Sequence, residues 1–379
     1  MEFNLTPINV AMLAPTGAGK TSLLSTVVKY IEDKLNVAEG FRIKPCNRAD
    51  EVVLNTFNTD LRSKIDAEDF HFDAGFLPGN AVARKFEFEI TLTSQANTEV
   101  KQKFVIMDIP GVWLDPERRT DATGWEEFKK HLYNSRIIWI PIEATVLMEV
   151  NQNSAREKGL SSRISCREEI EKLVKEWAEF RQKDKLAASA NFVITKCETY
   201  HSKSERRNKD NELINTKADQ CRDLFTKYYG ESIELIRREC PSVEITYIPV
   251  ETIGCVKLID SDWISEEGKR PYLSCSFTIT PPNKRQIAGA ESLVKSILDY
   301  SVNQIKANLD DVSKGASQVI QENENSIFKR LKNWWTGKTE LAKYNKSEIE
   351  KITPSLLKLG SQLNELERLG DEYRYYRHL

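Results

Sequence analysis

The sequence predicts an α/β fold built on a largely parallel sheet, and three observations point there. Apolar runs of strand length recur at 8–13, 103–111, 136–143, 190–198 and 243–254; helical periodicity fills much of the intervening chain; and the first run leads through "APTGAGKT" (14–21) directly into a helix. Strands alternating with helices imply parallel strands covered on both faces.

Taken in order, Ile8 to Leu13 is the first strand, and Leu23, Leu24, Val27, Val28, Ile31 and Leu35 repeat at helical spacing after it. Residues 40–80 hold many turn formers and little periodicity, which predicts a long, partly helical excursion. In "KFEFEITLT" (85–93) Phe86, Phe88, Ile90 and Leu92 alternate with polar residues, the pattern of a half-buried strand. "SQANTE" is a turn and "KFVIMDIPG" (103–111) the returning strand, so the two form an antiparallel hairpin. Helices are expected at about 165–183 and 213–229, between the later strands. From Glu291 onward the pattern is helical only. Val294, Leu298, Val302, Ile305, Leu309, Val312, Ala316 and Val319 step by three and four, and a second stripe runs through Ile349, Ile352, Leu356, Leu359, Leu363 and Leu366, with Thr353-Pro354 supplying an N-cap and first helical residue. The chain therefore divides into an α/β domain, 1–290, and a C-terminal helical hairpin, 291–379.

Composition narrows the function classes. Lys+Arg 55 against Asp+Glu 57 gives a net charge of −2, so no global footprint for nucleic acid is present. Seven cysteines without a C-x-x-C pair, an N-terminus with no basic leader pattern, and no apolar run long enough for a membrane span predict a cytoplasmic protein. The four histidines are far apart and none has a metal-ligand spacing with cysteine.

The segment 14–21 fits G-x-x-x-x-G-K-[ST] except that Ala14 stands at the first glycine. Gly17 and Gly19 let the backbone curl into a nest of N–H groups shared by Thr16, Ala18 and Ser22. Lys20 reaches the terminal phosphates, and the Thr21 hydroxyl ligates Mg²⁺. The helix beginning near Lys20 adds the positive end of its dipole. An ordinary glycine-rich turn would not need Lys-Thr directly after the last glycine.

Four stretches together resemble the Ras-like GTPases of the translation-factor-related class. They are the phosphate loop; "DIPG" (108–111) at the end of a strand; "TKCE" (195–198), similar to [NT]-K-x-D; and "VETIG" (250–254) where a base loop belongs. The resemblance implies a phosphate-loop NTPase three-layer sandwich, mostly parallel with one antiparallel strand. It implies that Asp108 holds Mg²⁺ and that the Gly111 N–H meets the γ-phosphate. It also implies that Thr195, Lys196 and Glu198 read guanine, with Thr252 and Ile253 beside the base. The lead cofactors are then Mg²⁺ and GTP, with ATP as the alternative.

Some positions depart from that pattern. Glu198 adds a methylene to the usual aspartate. For the switch threonine the nearest candidates are Asn80, Thr56 and Thr59, and none is assigned. Val112-Trp113 follows DIPG where a water-orienting glutamine is common in the family, so hydrolysis is expected to be slow or assisted by a partner. Arg84, Arg118 and Arg119 are candidate charge stabilisers. Between the C-terminal stripes, Phe328, Leu331, Trp334 and Trp335 lie among basic residues at 326–346. Packing against the core, docking of a protein partner and peripheral membrane contact all fit that composition. The reading is a GTP-binding switch that relays its nucleotide state to a protein partner or a second copy; an ATPase or phosphotransferase and a non-hydrolysing scaffold are the alternatives.

Overall fold

The computed structural model describes residues 2–35, 41–66, 71–72, 83–93, 99–184, 187–201, 216–267, 270–297, 300 and 377–378. Asn80, the segment 326–346 and nearly all of both C-terminal apolar stripes lie outside the described residues.

The first half contains β1 (Glu2–Met12), α1 (Lys20–Tyr30), β2 (Phe41–Pro45), α2 (Arg48–Asp66), β3 (His71–Phe72), β4 (Arg84–Thr93), β5 (Glu99–Asp108), α3 (Ala122–Asn134) and β6 (Ile137–Glu143). The second contains α4 (Ala144–Met148), α5 (Ala155–Ser165), α6 (Arg167–Asp184), β7 (Ala188–Thr195), α7 (Glu198–His201), α8 (Thr216–Glu239), β8 (Val243–Pro249), β9 (Val256–Ile264), β10 (Tyr272–Ile279) and β11 (Arg377–His378). One sheet has the order β11-β8-β7-β6-β1-β5-β4-β2. Strands β8, β7, β6, β1 and β5 pair in parallel. The expected hairpin is present, with β4 antiparallel to β5 and Arg84 opposite Asp108. Strand β2 is antiparallel to β4 and so runs with the parallel set, whereas the short β11 also runs against its neighbour.

Period-two alternation sorts the strand residues between two cores. Ile8, Val10 and Met12 of β1, Ile137 and Trp139 of β6, Val193 of β7 and Ile248 of β8 face one layer, with Leu23, Leu24 and Val27 of α1. Ala11, Ile138, Ile140, Phe192 and Tyr247 face the other, against Phe128 of α3, Leu173 and Trp177 of α6, and Phe225 and Ile236 of α8. β6 and β7 are buried almost end to end, as near-continuous apolar runs covered on both faces must be. This is the three-layer α/β architecture. Residues 290–297 are helical, and Leu293, Val294 and Ile297 are buried in the first of these cores. The start of the sequence's helical region is thus packed into the α/β unit.

A second sheet, β3-β10-β9, was not anticipated. Leu273, Cys275 and Phe277 of β10 turn inward onto Phe57, Leu61 and Ile65 of α2, Val146 of α4, Ile164 of α5 and Ile253. Because Val146 and Ile253 follow the carboxyl ends of β6 and β8, this sheet sits on the rim of the large one. All seven cysteines are free, and among the described residues no helix is long and apolar enough to cross a membrane.

Candidate phosphate-binding site

The site lies where β1 ends between β5 and β6, the point at which the order of connection reverses across the sheet. Gly17 and Gly19 have φ of 90° and 80°, a left-handed backbone that only glycine adopts without strain. Gly19 caps α1 with no side-chain hydrogen bond, and no acidic residue occupies the first turn, so the positive helix end is left for an anion. Lys20 is buried and folds back across the loop, its Nζ donating to Ala14 O (2.9 Å) and Pro15 O (3.0 Å). Burial pulls its pKa below the ordinary lysine range; Asp108 opposes that pull, while Arg270 adds to it. A polyanion bound here would oppose that lowering, because a nearby negative charge favours the ammonium form.

Asp108 ends β5 and is buried, next to the loop that begins with Ile109. Gly111 follows in a 3₁₀ turn, Gly111–Leu114. A Cβ on Gly111 would stand 2.0 Å from Thr16 N and 2.4 Å from Pro15 C, so the DIPG turn rests directly on the phosphate loop. Trp113 of the same turn is buried in the second core, and the two residues directly after Gly111, Val112 and Trp113, offer no carboxamide to orient water. The Asp108 carboxylate and Thr21 hydroxyl are hard oxygen donors near the loop, a donor set that suits Mg²⁺.

The TKCE segment does come to the loop. Thr195 Oγ1 lies 2.9 Å from Ala18 O and 3.2 Å from Ile142 O, so it ties the phosphate loop to β6 and β7. Lys196, at φ 52°, donates from Nζ to Glu143 Oε1 at 2.7 Å, an acceptor that Thr145 Oγ1 also reaches at 2.6 Å. Glu198 is buried, and its Oε1 accepts from Thr252 N (2.9 Å) and Ile253 N (3.0 Å), which fastens the VETIG loop to α7. The predicted base-reading residues therefore assemble, but in this conformation they are engaged with one another and with Glu143. Arg285 braces the same corner, donating to Thr252 O, Asn58 Oδ1 and Thr26 Oγ1; burial lowers its pKa to about 10.

Other candidates lie elsewhere. Thr56 and Thr59 are exposed on α2. Arg84 pairs with Asp50, Arg118 with Asp115, and Arg119 with Glu169 while its guanidinium lies 3.5 Å from the centre of the Trp125 ring. These three arginines hold structure together.

The chain matches no family model and no curated protein significantly. Among solved structures it is similar to the GTPase-like domain of Ski7 from S. cerevisiae, bound to GTP, with 9% identity and a TM-score of 0.30. That match covers 66% of this chain and 43% of the other, so the chain spans less than half the length of that structure.

Two residues at the site escaped sequence reasoning. Glu143 ends β6, and its Oε2 lies 4.0 Å from the point where a side chain on Gly17 would begin. Arg270, in the link between β9 and β10, donates from Nη2 to Ile164 O at 2.8 Å and Cys166 Sγ at 3.0 Å. The position of Glu143 at the carboxyl end of a buried parallel strand was a usable signal; nothing local marks Arg270.

Proposed function

We propose that this protein binds a nucleoside triphosphate with Mg²⁺ at residues 14–21, prefers GTP, and hydrolyses the terminal phosphate slowly as a molecular switch. The observation that supports this best is the uncapped strand–loop–helix with two left-handed glycines and Lys20 folded over its carbonyls. Nest N–H groups and the helix end bind the phosphates; Lys20 neutralises their charge; Asp108 and Thr21 hold Mg²⁺, which when bound supplies further charge neutralisation. Thr195 keeps the loop in register with the base-side strand. Guanine recognition by Glu198 requires its second oxygen, or release of Oε1 from the VETIG loop, so discrimination against ATP is expected to be modest. The switch element of this reading is the Gly111 turn, seated on the phosphate loop and sensitive to what occupies it. Relay to a protein partner or a second copy through the C-terminal helical region belongs to the same proposal and rests on the sequence pattern.

Equilibrium binding of labelled GTP with Mg²⁺ tests it, with unlabelled ATP as competitor. A charge-assisted contact to phosphate is worth about 1.5–3 kcal/mol, so Lys20→Ala should weaken binding by roughly 10- to 150-fold. Equal displacement by ATP and GTP would assign the site to an ATPase or phosphotransferase. The buried Trp113 favours one further reading, a scaffold that binds nucleotide without hydrolysis. Single-turnover phosphate release that disappears in Lys20→Ala excludes it.

A further inference from the structure

We propose that Arg270 is a second phosphate-facing cation, supplied in cis from the β9–β10 link, that stabilises the charge developing on the γ-phosphoryl group during hydrolysis. The proposal rests on the triphosphatase reading above and assigns a residue that reading lacks.

Its basis is placement. Ile164 and Ser165, the last residues of α5, line a cleft together with Pro15, Thr16 and Ala18 of the phosphate loop and with Glu143. The Arg270 guanidinium is bonded to the end of α5 that forms this wall, its Nη2 donating to Ile164 O and Cys166 Sγ. Nη1 is buried and has no hydrogen-bond acceptor among the described residues. Capping the carboxyl end of α5 accounts for Nη2 alone; Nη1 is a buried donor still awaiting an oxygen, and such donors are rarely left unmade. The Arg270 charge also reaches Lys20, where it acts with burial to disfavour a second cation. With Glu143 already paired to Lys196, the two remaining cations face the carboxylate of Asp108, and that balance suits a site completed by a polyanion. Arg84, Arg118, Arg119 and Arg285 are engaged with the partners given above.

In the step concerned, a water oxygen bonds to the γ-phosphorus and the bond to the β–γ bridging oxygen breaks. Its electron pair leaves on the nucleoside diphosphate; one water proton stays on the released phosphate and the other goes to solvent. Charge grows on the bridging and equatorial oxygens, where a planar guanidinium donates two N–H groups and an ammonium offers only a point charge.

The test uses the full chain, with Arg270→Ala, Arg270→Lys and, as a control, Arg237→Ala, which removes an exposed arginine of α8 paired with Glu234. Thermal melting establishes that each variant is folded, and Arg270→Lys keeps a cation on the wall should the alanine variant not fold. The expected result is GTP affinity within about tenfold of the parent but single-turnover phosphate release slowed by about 100-fold or more in Arg270→Ala, and about 10-fold in Arg270→Lys. Guanidinium ion added at millimolar concentration should restore part of the alanine variant's rate. GDP with aluminium fluoride, a mimic of the transferring group, should bind the parent and Arg237→Ala and fail with Arg270→Ala. Release rates within threefold of the parent in both arginine variants overturn the proposal and leave nucleotide binding intact. A parent protein that binds no nucleotide overturns the triphosphatase reading and this assignment together, and Lys20→Ala binding identically to the parent marks that case.

Discussion

A single methyl group probes the phosphate site most directly. At Gly111 it would meet the main chain of Thr16 at 2.0 Å, and backbone cannot swing aside as the end of a long side chain can. Gly111→Ala must therefore push the DIPG turn off the phosphate loop or distort the loop itself. Overpacking of this kind costs about 1–3 kcal/mol. We expect a lowered thermal midpoint together with loss of nucleotide binding; a variant that melts and binds like the parent would mean that the contact is not required. Lys20, Gly111 and Thr195 are legible in sequence because one short motif encodes both their chemistry and their position. Glu198 is half legible: its burial near Thr252 and Ile253 follows from motif order, whereas engagement of Oε1 by their backbone N–H groups does not. Arg270 is illegible, because nothing in its neighbours' identity says that it meets the end of α5, encoded far earlier in the chain.

Among the elements, the rim sheet matters most for the site, since it delivers Arg270. It is held through Leu273, Cys275 and Phe277, which pack on α2, α4 and α5. Truncating a buried phenylalanine costs about 3–5 kcal/mol, so Phe277→Ala should lower the urea midpoint correspondingly. Because Phe277 anchors the strand that follows Arg270, phosphate release should slow as well, even where the variant is fully folded. Unchanged stability would show that β10 is not part of the cooperative unit. The strands of the large sheet could be read from the chain because parallel interior strands are apolar on both faces. β9 could not: it leaves Ile259 67% exposed and alternates weakly. β10 does alternate, and its Leu273, Cys275 and Phe277 were a signal that was open to reading. Helix α8 continues to Glu239, beyond the expected 229, because Ile233 and Ile236 extend its buried stripe across β7 and β8.

For the molecule as a whole, the described residues leave little space beside the phosphate loop. The cleft beside the phosphate loop offers about 10 Å³, space for roughly one water, whereas ligand pockets run to several hundred Å³. The proposed nucleotide binding therefore predicts movement of the surrounding walls: the DIPG turn, the end of α5 and the rim sheet. Hydrogen exchange with and without GTP and Mg²⁺ should show altered protection at 111–118 and in β9 and β10, alongside the phosphate loop. Nucleotide binding accompanied by no change outside 14–21 would contradict that picture. What the sequence by itself determined is the order of the strands along the chain, the glycine loop at 14–21 between β1 and α1, and the arrival of Thr195 beside it; periodicity and motif are local, and the right-handed connection of parallel strands propagates them into a sheet. Only the tertiary structure decided that a second sheet covers the rim, that Lys196 and Glu198 already have partners, and that Arg270 bonds the end of α5. Those outcomes depend on which faces meet across long loops, and chain spacing carries no record of that.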